Sequence, residues 1–216
     1  MKYFLIAFVI LLVSCGQTNT GSEKNEIKAT DTSSPGPAIT KTEEKTVKFL
    51  WRDKKYDEVL KDTFNSIFIN EAFCKVITDE EKAALGYVAT FIGNECSWDG
   101  PYKDDRSNLK CKILTALNLG YQCSEQHLGF LRKMFKDDKA VLEALKPDNC
   151  PTTPDGATIQ NTFDEITLTV SGNQILVSYK AQELNSRDGS SRSWTGIDHF
   201  EFGHQYVKLI KKESRM

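Results

Sequence analysis

Proton-transfer chemistry near neutral pH falls most naturally to imidazole, and this 216-residue chain carries three histidines, at positions 127, 199 and 204. His199 and Glu201 stand two apart in Ile197-Asp198-His199-Phe200-Glu201-Phe202, a segment with strand character. Side chains two apart on a strand share a face, so the imidazole and the carboxylate would lie about two residue rises apart. Such a pair could orient a general base or supply two ligands of a divalent ion, with a third coming from elsewhere. The structural alternative places Phe200 and Phe202 in the core and leaves His199 and Glu201 on the solvated side. His127, in the first turn of a helix that Ser124 would cap, reads as a surface residue. The chain contains no Gly-x-Ser-x-Gly elbow, phosphate loop, dinucleotide fingerprint or paired-histidine zinc helix. Enzymatic chemistry therefore has little sequence support, and neither a cofactor nor a metal is expected.

Thiols are the next candidates. Cys74, Cys96, Cys111, Cys123 and Cys150 include no Cys-x-x-Cys pair, which argues against a thioredoxin-like role or a structural zinc site. Five thiols allow about fifteen ways of forming two bridges. The favoured set is Cys96 with Cys111 and Cys123 with Cys150, because each pair would join a helix-bearing segment to a nearby irregular one. Cys74, among Phe73, Val76 and Ile77, would remain a buried thiol. Trp98, in Trp98-Asp99-Gly100-Pro101-Tyr102, could stack on a sugar, and Asp99, Asp104 and Asp105 nearby could attract calcium, although their spacing is not that of an EF-hand. The plainer reading tucks the aromatic against the core. Arg187 and Arg192 flank a Gly-Ser tip and could offer a guanidinium pair to an acidic partner, or could simply be a solvated hairpin end.

The elements that must position these residues follow from periodicity. Tyr56, Val59, Leu60, Phe64, Ile67, Phe68, Phe73, Val76 and Ile77 recur at three- and four-residue steps and predict a long amphipathic helix. Thr78 and Glu81 form a capping-box pattern opening a second helix that Gly93 stops. A third runs from Asn108 to Leu119, ended by Gly120. Ser124 caps a fourth, and Asp137 or Asp138 opens a short fifth. Pro147, Pro151, Pro154 and Gly156 break regular structure. After them the period changes to two: Ile166, Leu168 and Val170, a Ser171-Gly172-Asn173 turn, then Ile175, Val177 and Tyr179. Two further strands, Trp194 to Phe202 and Tyr206 to Ile210, complete the pattern. The expected fold is α+β: an N-terminal cluster of four or five helices followed by a C-terminal antiparallel β-meander. It would form one disulfide-stabilised domain over residues 46–212.

Residues 1–14 read as a cleavable signal: Lys2 supplies the positive end and Tyr3 to Leu11 an apolar run short for a bilayer span. Leu12-Val13-Ser14-Cys15 resembles the lipobox of bacterial lipoproteins. That resemblance covers the first fifteen residues only and implies a Cys15 acylated after cleavage and fastened to a lipid membrane. Gly16, where inner-membrane lipoproteins tend to carry aspartate, implies the outer membrane, with the domain facing the periplasm. Residues 15–45, rich in Ser, Thr, Gly, Pro, Glu and Lys, form a tether whose root-mean-square reach is ~30 Å. The formal net charge is −2, which draws the chain to no nucleic acid.

Together these readings point to a membrane-anchored, non-enzymatic module that binds an envelope protein or polymer, an immunity or inhibitor protein among the options. The alternative is an envelope hydrolase using His199 and Glu201, with or without a metal.

Overall fold

The computed structural model describes residues 44–59, 61–92, 109–151, 159–185 and 187–216. Cys15, Cys96 and Trp98 lie outside them, as does the side chain of Cys111. The compact unit spans Lys41–Met216.

Among the described residues, six strands form one antiparallel sheet: β1 (Lys45–Asp57), β2 (Asp62–Ile69), β3 (Ile159–Ser171), β4 (Gln174–Asn185), β5 (Ser191–Gly203) and β6 (Tyr206–Arg215). Their order across the sheet is β2-β1-β3-β4-β5-β6. Among the described residues, five α-helices lie between β2 and β3 in the chain: α1 (Glu71–Cys74), α2 (Asp79–Phe91), α3 (Leu109–Ala116), α4 (Glu125–Met134) and α5 (Lys139–Ala144). The architecture is α+β, but the expected order, with a helical cluster leading the chain, is wrong. Among the described residues a β1–β2 hairpin comes first, and α1 is only the last turn of the anticipated long helix.

The error has a physical cause. The run 56–69 fits a helical period in its apolar positions, yet Thr63-Phe64-Asn65-Ser66-Ile67-Phe68-Ile69 is rich in the aromatic and β-branched residues that suit a pleated surface. The Asp57 carboxylate accepts the Val59 N–H at 2.9 Å, closing an Asx turn, and Lys61 takes a left-handed φ of 53°. The chain reverses there, and Tyr56 and Val59, counted toward a helix face, are exposed at the tip. Asn70 then caps α1 by accepting the Phe73 N–H.

Local capping chemistry does set α2, α4 and α5. Thr78 and Glu81 exchange both bonds of a capping box at the start of α2. Ser124 caps α4, and Asp138 caps α5. The β3–β4 turn passes through Gly172 at φ 59°, a conformation that favours glycine.

One face of the sheet carries the helices. Leu50, Ile166, Leu168, Ile175, Val177 and Phe200 are buried there with Leu85, Val88, Leu131 and Phe135. Tyr87 meets Phe200 edge-on at 5.8 Å and Phe135 at 5.3 Å. Full burial of each such side chain contributes ~1.5–3 kcal/mol. Helix α2 is central and buried on nearly every side, and at Gly86 any Cβ would collide with Leu119, so the glycine permits the close approach. The first turn of α2 is tied down twice: Glu81 pairs with Lys45 on β1 at 2.7 Å, and Glu80 accepts the Gln205 N–H of the β5–β6 turn at 3.1 Å. Asp138 caps Val141 with one oxygen and accepts the Leu209 N–H of β6 with the other, joining the helical layer to the sheet edge.

Candidate functional site

Because β-strand side chains alternate, burying Ile166, Leu168, Ile175 and Val177 under helices sends their neighbours to the opposite face, the uncovered face, over which none of the described helices lies. Register then assembles two rows across the strands. The first runs Trp51, Glu165, Lys180, Thr195 and Arg215, from β1 through β3, β4 and β5 to β6. The second runs Lys48, Thr167, Ser178, Ile197 and Glu213. Small side chains at the centre and long ones around them leave a trough of about 260 Å³ spanning β3 to β6. Thr167, Ser178, Thr195 and Ile197 make its floor, and Glu165, Lys180, Glu213 and Arg215 its rim.

The rim charges are organised. Glu165 is held by Lys48 at 2.9 Å and Lys180 at 3.3 Å, and the hydrogen bond from Lys48 is the largest of the effects that keep its carboxyl below the usual range. Glu213 receives Lys211 at 2.9 Å and His199 at 3.0 Å, and Lys211 above all lowers its carboxyl. Beside Glu165, Trp51 stacks on Phe68 of β2, with ring centres 5.9 Å apart and planes 14° apart. The neighbours Leu50, Ile67 and Ile69 pack on the core, so the two rings lie on the uncovered face.

His199 and Glu201 do share this face, both partly exposed. The partner of the imidazole, however, is Glu213 on the neighbouring strand, with Nε2 3.0 Å from Oε1. Among the described residues, no group of three or more His, Cys, Asp or Glu is arranged to hold a metal ion. Arg187 and Arg192 are exposed at the far end of the β4–β5 hairpin. The alternation of β5 puts Arg192 on the side of Trp194 and Gly196, so it does not join His199 and Glu201.

His127, read from sequence as a surface residue, is fully buried. Its Nδ1 accepts the Cys123 N–H at 3.1 Å, which leaves Nε2 to carry the proton toward Thr90 Oγ1 at 3.0 Å. The Thr90 hydroxyl in turn donates to the Gly86 carbonyl at 2.7 Å. The imidazole is thus a structural rivet between α2 and α4. Next to it, Cys123 and Cys150 form a disulfide, with Cα atoms 5.9 Å apart. Cys74 is an unbridged, half-buried thiol, pushed up by burial and then by Glu71.

Under the helices, Asp198 is 3 % exposed and its Oδ1 has no hydrogen-bond partner among the described residues. Its Oδ2 lies 3.8 Å from Lys212 Nζ, which sits 4.6 Å from the centre of the Tyr87 ring and 5.3 Å from that of Phe91. Burial raises the Asp198 carboxyl despite the pull of Lys212 and His199. The Tyr179 hydroxyl is pushed up to about 12 by burial, aided by the Asp198 charge.

Sequence reasoning missed the trough because its residues are ordinary in type. The usable signal was indirect: on β3, β4 and β5 the trough residues alternate with buried ones, Thr167 between Ile166 and Leu168, Ser178 next to Val177, and Ile197 between Gly196 and Asp198. No protein-family model, no curated protein and no solved structure matches this chain.

Proposed function

We propose that the protein is a non-enzymatic binding module of the bacterial envelope. It is fastened to the outer membrane by lipid on Cys15, faces the periplasm, and presents the uncovered face of its sheet to an envelope protein or polymer; an immunity or inhibitor protein is one form this takes. The observation that carries the reading is the trough: a concave, charge-organised surface on four strands, backed by the helical layer, so that a partner meets a preformed shape. The disulfide and the lipobox-like start suit the same oxidising, membrane-bound setting. No helix among the described residues is long and apolar enough to cross a membrane, and the anchor supplies attachment instead. A hydrolytic reading would have to use His199 with Glu213, rather than Glu201, as its orienting carboxylate.

Metabolic labelling with palmitate and site-directed photocrosslinking test the two halves of the proposal. The full chain takes up label and Cys15→Ser does not. A crosslinker at Thr195, in the trough, yields adducts in intact cells, whereas one at Lys133, exposed on α4, yields none. Absence of label from the wild-type chain overturns the anchor. Equal crosslinking from Thr195 and Lys133 overturns the binding face, and loss of a wall-fragment hydrolase activity in His199→Ala replaces it with the hydrolytic reading.

A further inference from the structure

We infer that the trough and the Trp51–Phe68 pair together form a site for a neutral glycan strand lying across the β-strands; this rests on the uncovered face being the binding surface. Three observations on that face converge on one ligand chemistry.

The floor carries three hydroxyls. Thr167, Ser178 and Thr195 come from three adjacent strands, and each hydroxyl both donates and accepts, as sugar hydroxyls do. Glu165 and Glu213 add acceptors, and Lys180 and Arg215 add donors, so every rim group can meet a hydroxyl or an amide. Ile197 and the methyl groups of Thr167 and Thr195 supply apolar surface between the hydroxyls, which suits the C–H faces of a sugar ring.

Charge excludes the polyions. Two carboxylates and two cations line the trough, and Glu165 and Glu213 are already neutralised by Lys48, Lys180 and Lys211. A polyanion would have to draw Lys48, Lys180 and Lys211 away from the carboxylates they hold, and a polycation would have to displace the same lysines. An uncharged chain meets neither penalty.

The aromatic pair extends the site in the direction of the rows. Trp51 stands opposite Glu165 in register and Phe68 opposite Trp51, so the rings continue the first row past the trough toward the β2 edge. Neighbouring strands are ~4.8 Å apart, which makes the span from β2 to β6 about 24 Å, the length of a short oligosaccharide rather than of one sugar. A partly exposed aromatic surface beside hydroxyl-binding groups suits the apolar C–H face of a pyranose ring. A peptide is less suited: the backbone groups of β1, β3, β4 and β5 are engaged on both sides in ladders, so this face offers a peptide no strand pairing.

The test uses the full chain in detergent, titrated with tetramers of N-acetylglucosamine, of β-1,4-glucose and of α-1,4-glucose, with dextran sulfate as the polyanion. Calorimetry and tryptophan fluorescence are the readouts. At least one tetramer binds, shifts the fluorescence and is insensitive to added salt. Trp51→Ala weakens it about tenfold, equivalent to about 1.4 kcal/mol. Ser178→Arg and Thr195→Arg, which fill the floor from different strands, abolish binding while melting like the wild type, and either one serves if the tryptophan variant fails to fold. The inference is overturned if no tetramer binds, if binding survives both arginine variants, or if dextran sulfate alone binds in a salt-sensitive way. Should the tetramers fail while Thr195 crosslinks persist in cells and Ser178→Arg removes them, the face remains a binding surface and only the glycan assignment falls.

Discussion

Replacing Lys212 by methionine isolates the electrostatics beneath the helices. The methionine keeps most of the side-chain bulk against Tyr87 and Phe91 but removes the cation nearest the buried Asp198 carboxylate. At a separation near 4 Å and an effective dielectric of about 20, the attraction is ~4 kcal/mol before solvent screening. The lysine side chain is 46 % exposed, and solvent around the ammonium reduces this to about 1–2 kcal/mol. Loss of the ring contacts adds ~0.5–1 kcal/mol, part of which a thioether recovers. The expected cost at about pH 8 is therefore ~2 kcal/mol, or a fall of about 4–8 °C in Tm for a unit of this size.

The pH dependence follows from the sign of the Asp198 shift. Burial places its folded pKa above its unfolded value, so its contribution to stability is fully present below the unfolded pKa and is lost as pH rises through the folded one. Removing Lys212, the stronger of the two downward influences, raises the folded pKa further. At about pH 3 the carboxyl is protonated in both proteins, and they differ only by the ring contacts. The gap widens as pH rises through the wild-type pKa and reaches its full value above the higher pKa of the variant. Urea denaturation of both proteins across this range measures the gap directly. An equal loss at both extremes, or none at pH 8, refutes the coupling. Adding Asp198→Asn to the variant restores part of the stability, because the orphaned charge is gone.

Two further predictions concern the helical layer. Cys150→Ser opens a bridge whose cysteines are 27 residues apart, and chain entropy puts the cost at about 3–4 kcal/mol; melting with and without reductant measures it, and an unchanged Tm contradicts it. His127→Phe retains the volume but removes the acceptor for the Cys123 N–H, and a cost of ~1–3 kcal/mol is expected. Hydrogen exchange that stays slow at the Cys123 amide in this variant would show that another group satisfies it.

Local chemistry was legible in the sequence. Thr78 with Glu81, Ser124, Asp138 and Gly172 act on backbone groups within a few positions of themselves, so their roles can be read in the linear chain without knowing what packs above them. The alternation in residues 166–179 showed a hairpin for the same reason, and the pairing of Leu168 with Val177 follows from the turn between them. Residues 56–69 were not legible, since their apolar spacing satisfies both a helix and a strand. The choice was made by pairing with residues 50–57, and the strand pairing of β1 in turn depends on β3, more than a hundred residues away.

The same division holds for function. The sequence by itself determined that His199 and Glu201 share a face and which residues could do acid–base work, because a two-residue period is a property of one strand. It could not determine that Glu213 would take the imidazole, that His127 would turn inward, or that Thr167, Ser178 and Thr195 would come together as a floor. Those neighbours belong to different strands and helices. Only the register between strands and the packing of helices on one side of the sheet chose the uncovered face and what it displays.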